Sequence, residues 1–170
     1  AGTGSKQIIF SAMVSTIEDG DEAIITAPYW VAYPDIVRFA GGIPKIISCR
    51  EENKFKLQPN ELENAISDRT KWLFLNSPGN PSGTVYTWDE LLEIGKVLLE
   101  HPEVRILTDD IYEHIIFDGK KFETIANVVP ELYDRVLSVN GVSKSHSMTG
   151  WRLGYAGGAI EIIDQMTKLQ

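Results

Sequence analysis

The sequence predicts an α/β fold, a mainly parallel sheet flanked by helices on both faces, and three observations carry that expectation. Short apolar runs suited to buried strands alternate with amphipathic helical stretches at intervals of about 25 to 35 residues. The run from Lys71 to Leu75, K-W-L-F-L, lacks the polar alternation of a strand with one wet face, as expected where helices cover both sides. No repeat or low-complexity tract breaks the alternation. At 170 residues and 43% hydrophobic content, the chain is expected to form one domain, residues 1–170, around one sizeable core.

Each element has a local reason. Gly4-Ser5-Lys6-Gln7 opens a helix whose apolar spacing from Ile8 to Ile17 suits burial; Thr3 or Ser5 is its expected N-cap, and it should end near Asp19-Gly20. Glu22 to Thr26 reads as a strand that ends in the loop Ala27-Pro28-Tyr29-Trp30. Val31 to Ala40 is an amphipathic helix closed by Gly41-Gly42, followed by a strand from Pro44 to Ser48 and a hydrophilic turn from Arg50 to Lys54. Pro59 starts a helix that continues over Glu61 to Ser67 and leads to the strand at Lys71. Thr87 and Glu90 have capping-box spacing ahead of Leu91, Ile94 and Leu98, which predicts a helix from Thr87 to Glu100. Val104 to Thr108 is the next strand, Phe117 to Gly119 a turn, Phe122 to Val129 a short helix, and Arg135 to Asn140 a strand. Leu153 to Gly157 and Ile160 to Leu169 close the chain as strand and helix.

Composition narrows the function classes. Lys plus Arg number 16 against 24 Asp plus Glu, a net charge of -8, which repels nucleic acid and anionic membranes and favours a small-molecule role. The single cysteine, Cys49, excludes an internal disulfide framework and points to a reducing compartment. No apolar run reaches transmembrane length and no basic-then-apolar leader opens the chain, so a soluble cytoplasmic protein is expected. The chain opens on Ala1 and stops in mid-pattern at Gln170, as a fragment would.

Five loops carry the candidate chemistry. Lys144 sits among small and hydroxyl residues in S-V-N-G-V-S-K-S-H-S-M-T-G-W-R-L-G-Y, Ser138 to Tyr155, where an amine has room to bond an aldehyde. Arg152, eight positions on, offers a planar donor fork that suits a phosphate. The glycine turn at Gly4 leads into a helix start, whose free amides favour an anion; a nucleotide P-loop is excluded because Ser5 separates Gly4 from Lys6 and Gln7 replaces the metal-binding hydroxyl. Tyr29 and Trp30 place two aromatic rings at a strand end. N-S-P-G-N-P-S-G, Asn76 to Gly83, is a rigid loop able to aim the Asn80 amide. T-D-D-I-Y-E-H follows a strand, and since neighbouring side chains face opposite sides, only one of Asp109 and Asp110 can enter a given pocket. A metal site at Asp109, Asp110 and His114 lacks a second histidine at a ligand spacing.

Taken together, Gly141-Val142-Ser143-Lys144, Ser147-Met148, Gly150, Arg152 and Gly154 resemble the lysine signature of class I and II aminotransferases that use pyridoxal 5'-phosphate; N-P-S-G resembles that family's N-P-[TS]-G motif. The resemblance implies the fold-type I scaffold, nearest the aspartate aminotransferase branch. It makes the chain the central part of the large domain, without the N-terminal arm and the C-terminal small domain. It also implies a Schiff base between Lys144 and pyridoxal 5'-phosphate, with the phosphate gripped by the Gly4-Ser5-Lys6 turn, Ser143 and Arg152. Trp30 is then the stacking ring, Asn80 the contact to the ring oxygen and the substrate, Asp109 the partner of the pyridine nitrogen, and Tyr112 a second donor to the ring oxygen. The implied reaction moves an amino group from an amino acid, L-aspartate first, to 2-oxoglutarate in a homodimer, with the substrate-carboxylate arginine outside these residues. Other activities on that scaffold (aromatic or prephenate transamination, C-S lysis) and a pyridoxal-sensing regulatory domain are the alternatives.

Overall fold

The computed structural model describes residues 1–170. Seven strands form one sheet: β1 (Gly2–Thr3), β2 (Glu22–Ala27), β3 (Ile43–Ser48), β4 (Thr70–Asn76), β5 (Arg105–Asp109), β6 (Val136–Gly141) and β7 (Leu153–Gly158), in the order β1-β7-β6-β5-β4-β2-β3. β3, β2, β4, β5 and β6 are mutually parallel, whereas β7 runs antiparallel to β6 and β1 antiparallel to β7. The chain first steps outward from β2 to β3 and then returns to lay β4 on the other side of β2. That reversal puts a crevice at the carboxyl ends of β2 and β4, the position at which open α/β sheets take ligands.

The helices are α1 (Gly4–Thr16), α2 (Ala32–Phe39), α3 (Pro59–Ala65), α4 (Trp88–Leu99), α5 (Ile125–Val128) and α6 (Ile160–Leu169). The sheet divides the apolar interior in two. Neighbouring residues of the central strands point to opposite faces: Ile25, Phe74, Leu107 and Leu137 meet α1, α2 and α6, while Ile24, Leu73, Ile106 and Val136 meet α3, α4 and α5. The single core expected from composition is therefore two layers, which is why β4 and β5 are buried at almost every position.

Boundaries differ from the sequence reading where side chains compete with the backbone. α1 ends at Thr16 rather than near Asp19: the Ser15 and Thr16 hydroxyls donate to the Ser11 and Ala12 carbonyls, and Ile17 turns extended. Neither Thr3 nor Ser5 caps α1 through its side chain; the Gln7 side-chain oxygen instead accepts from the Thr3 amide. The helix expected over Phe122 to Val129 is confined to α5, because Thr124 is extended and Pro130 disfavours helix at the preceding residue. The capping box of α4 forms: the Thr87 amide donates to Glu90 Oε2 at 2.7 Å and the Glu90 amide to Thr87 Oγ1 at 3.3 Å. At the other end of α4, Arg135 donates to the Leu98, His101 and Val104 carbonyls, tying that helix to β5 and β6. No helix is long and apolar enough to cross a membrane.

Candidate active site

A cleft of about 110 Å³ lies at the carboxyl ends of the parallel strands, lined by Ser5, Trp30, Tyr33, Asn76, Asn80, Asp109, Ile111, Tyr112 and Lys144. They come from five separate segments, with Ser5 in the first turn of α1 and the rest at or beyond strand ends. Trp30 follows β2, Asn76 ends β4 and Asn80 lies just beyond it, Asp109 ends β5 with Tyr112 three residues on, and Lys144 follows β6. Lys144 sits in a loop closed by its own backbone: the Ser147 amide donates to the Lys144 carbonyl at 3.0 Å, and Met148 to Val142 at 3.3 Å.

The two aspartates separate as the period-two argument requires. Asp109 enters the cleft, where Tyr33 donates its hydroxyl to Oδ2 at 2.6 Å, while the buried Oδ1 has no hydrogen-bond partner. Burial raises its pKa above the ordinary value, and the bond from Tyr33 opposes that rise. Asp110 points to the opposite side of the sheet and accepts from Thr108 Oγ1 at 2.9 Å. Burial pushes its carboxyl up to about 7. The folded chain therefore keeps a proton that the unfolded chain loses above about pH 4, and stability falls as pH rises through about 7. Asp110→Asn, which still accepts from Thr108, should match wild type near pH 4 and melt about 5 °C higher at pH 8, as read by thermal melts of the full-length protein. A melting difference that stays constant with pH would contradict this.

Asn76 links two of these strand ends. Its Nδ2 donates to the Asp109 carbonyl at 2.7 Å and its Oδ1 accepts from the Asn80 amide at 2.7 Å, so one side chain sets both the acid and the N-P-S-G loop. Behind the cleft, Asn140 donates to Glu113 Oε1 at 2.8 Å, joining the residue after Tyr112 to the strand that carries the Lys144 loop.

Gly4, Lys6, Ser143 and Arg152 lie beside the cleft rather than on its wall. β1 pairs with β7, Gly2 opposite Gly154, and this lays Arg152 across the start of α1. Gly4 has φ +80, and a Cβ there would collide with the Arg152 guanidinium; a Cβ on Gly154 would collide with the backbone of Gly4 and Ser5. Arg152 donates to the Thr149 carbonyl at 2.9 Å and leaves its other nitrogens beside the free amides of the first turn of α1. Lys6 reaches toward Trp30, its Nζ 5.0 Å from the ring centroid. Ser143 is half-buried.

Tyr33 and Asn76 are the site residues that sequence reasoning missed. Tyr33 reads as one more apolar position in an amphipathic helix, and its partner is 76 residues away. Asn76 reads in the sequence only as the start of a loop; its place at a strand end, paired with the acidic end of β5, is the available signal.

The profile of the family described as "Aminotransferase class I and II" matches residues 1–170. The chain belongs to the class I and II aminotransferases. It is 53% identical over 169 residues to an aspartate/prephenate aminotransferase of Cereibacter sphaeroides, covering 99% of this chain and 42% of the relative. The solved aspartate aminotransferase of Rhizobium meliloti superposes with a TM-score of 0.97 at 49% identity, and that of Thermus thermophilus with maleate at 0.92 and 39%; both matches cover 99% of this chain, and 42% and 43% of those chains. The chain thus spans under half the length of the relatives it matches.

The family's cofactor is pyridoxal 5'-phosphate. The residues of this aminotransferase chain fit it. A buried carboxylate oxygen without a partner suits a protonated ring nitrogen, and the glycine turn under Arg152 leaves a donor-rich end for a phosphate.

Proposed function

We propose that the chain is the central part of the large, cofactor-binding domain of a longer aspartate aminotransferase, which moves the amino group of L-aspartate to 2-oxoglutarate. The observation that carries the reading is the meeting, in one cleft, of the Lys144 amine with the unpartnered Oδ1 of Asp109.

Bound in this cleft, pyridoxal 5'-phosphate supplies an aldehyde that bonds amines and a ring that accepts the electron pair left when a substrate C–H bond breaks. Lys144 would bond the aldehyde carbon, and its amine would be the base that takes the proton from the substrate α-carbon. Asp109 would keep a proton on the ring nitrogen, because a shielded opposite charge favours the protonated form. Tyr112 and Asn80 would donate to the ring oxygen, and Asn80 would also meet the substrate carboxylate. Trp30 would cover the ring face. Gly4, Ser5, Lys6, Ser143 and Arg152 would hold the phosphate.

Aspartate as donor is supported by the relatives' names and by the maleate in the Thermus thermophilus structure, a four-carbon dicarboxylate like aspartate. The test is glutamate formation from L-aspartate and 2-oxoglutarate by the full-length protein. Full cofactor occupancy with no amino transfer would overturn the reading in favour of a pyridoxal-sensing domain. The name of the Cereibacter sphaeroides relative favours prephenate as a second oxo acid, tested in the same assay.

The working form is a homodimer in the cytoplasm. Trp151 is 73% exposed, and Leu153 and Tyr155 add apolar surface beside Arg152 that a second subunit would cover. Sedimentation of an active full-length monomer would contradict the dimer. The buried thiol of Cys49, whose pKa burial raises to about 11, suits a reducing compartment.

A further inference from the structure

Tyr33 touches both the acid and the aromatic wall of the cleft. Its hydroxyl donates to Asp109 Oδ2 at 2.6 Å, and its ring meets Trp30 edge-on with centroids 5.4 Å apart. Phe74, on the strand beneath, packs against the same ring at 5.1 Å. Tyr33 is 2% exposed, so the ring has one placement and the hydroxyl one partner. Burial, and then the charge of Asp109, push the phenol well above its ordinary pKa, which keeps it a donor across the working pH range.

The carboxylate needs such a donor. Rotation of an aspartate carboxyl about its last torsion is broad and nearly two-fold, so an unheld Asp109 would present either oxygen at a range of tilts. A bond from a separate helix to Oδ2 fixes the plane and leaves Oδ1 buried and unpartnered. The same bond lowers the cost of keeping Asp109 ionised where burial favours the neutral acid.

We propose that Tyr33 is a positioning residue for the cofactor ring: its phenol holds the Asp109 carboxylate with Oδ1 turned to the ring nitrogen, while its ring braces Trp30 at the ring face. The inference rests on the reading of Asp109 and Trp30 as cofactor contacts. Tyr33 acts through them and touches no reacting atom.

The test is equilibrium binding of pyridoxamine 5'-phosphate, which forms no covalent bond to the protein, to full-length wild type, Tyr33→Phe, Asp109→Asn and the double variant. Phenylalanine fills the same space, so the apo variant should melt within a few degrees of wild type. Tyr33→Phe should weaken binding by about 10- to 100-fold, the range for a hydrogen bond to a charged group. In the Asp109→Asn background the same change should cost less than about threefold, because the partner it orients is gone. Equal losses in both backgrounds would make Tyr33 a packing residue and overturn the inference. So would wild-type binding by Tyr33→Phe beside weakened binding by Asp109→Asn, an outcome that leaves the cofactor site standing. Wild-type binding by Asp109→Asn would instead remove the reading of Asp109, and the inference with it.

Discussion

Lys144→Ala in the full-length protein is expected to lower kcat/KM for aspartate by at least about 10⁴-fold, which is about 5 kcal/mol of transition-state stabilisation. Two losses combine. General acid–base transfer by a positioned side chain is worth about 10²- to 10⁴-fold, and the covalent hold on the cofactor is lost as well. No other lysine can stand in. Lys144 is the only lysine on the cleft wall, and Lys6, the nearest in the fold to Trp30, lies over that ring. Lys144→Arg should be as inactive, since a guanidinium keeps the charge but neither deprotonates nor forms the bond. The covalent part has its own readout. After borohydride reduction and digestion, the wild-type peptide containing Lys144 should carry the mass of the cofactor and the variant peptide should not. More than about 1% residual turnover in Lys144→Ala, or a reduced adduct on another lysine, would remove this residue from the chemistry.

The parts of this site that were legible in the sequence share one physical origin. A parallel strand buried on both faces needs an apolar run, so β4 and β5 could be read from K-W-L-F-L and from Val104 to Thr108; the loops beyond their carboxyl ends then held the polar residues. Prolines and glycines marked the N-S-P-G-N-P-S-G loop, and the lysine motif marked the loop after β6. Properties created only by tertiary contact were not legible. β1 has two residues and exists because β7 pairs with it, and that pairing is what brings Arg152 to α1. The charge state of Asp109 depends on a phenol from α2, a helix whose sequence pattern speaks only of burial. Asp109 and Asp110 were equivalent by composition, and only the register of β5 in the sheet gives the first to the cleft and the second to Thr108 on the far side.

Asp109→Asn is expected to lower kcat by about a thousandfold while leaving the covalent attachment at Lys144 in place. An aspartate in this position is under opposing influences. Burial favours the neutral acid, and the hydrogen bond from Tyr33 recovers part of that penalty but leaves the pKa above its ordinary value. A protonated ring nitrogen would supply the missing counter-charge. At about 4 Å and an effective dielectric near 20, such a pair is worth about 4 kcal/mol, close to a thousandfold in rate if the interaction is realised when the ring takes up electrons. Asparagine keeps the size and one acceptor oxygen but carries no charge, so it fills the same space without keeping the nitrogen protonated. Asp109→Glu keeps the charge on a longer stem, and should retain more activity than the amide despite fitting the closed site worse. That ordering, glutamate above asparagine, separates a charge effect from a packing effect. If asparagine instead outperforms glutamate, the carboxylate acts through shape, and the pairing of Asp109 with the ring nitrogen is wrong.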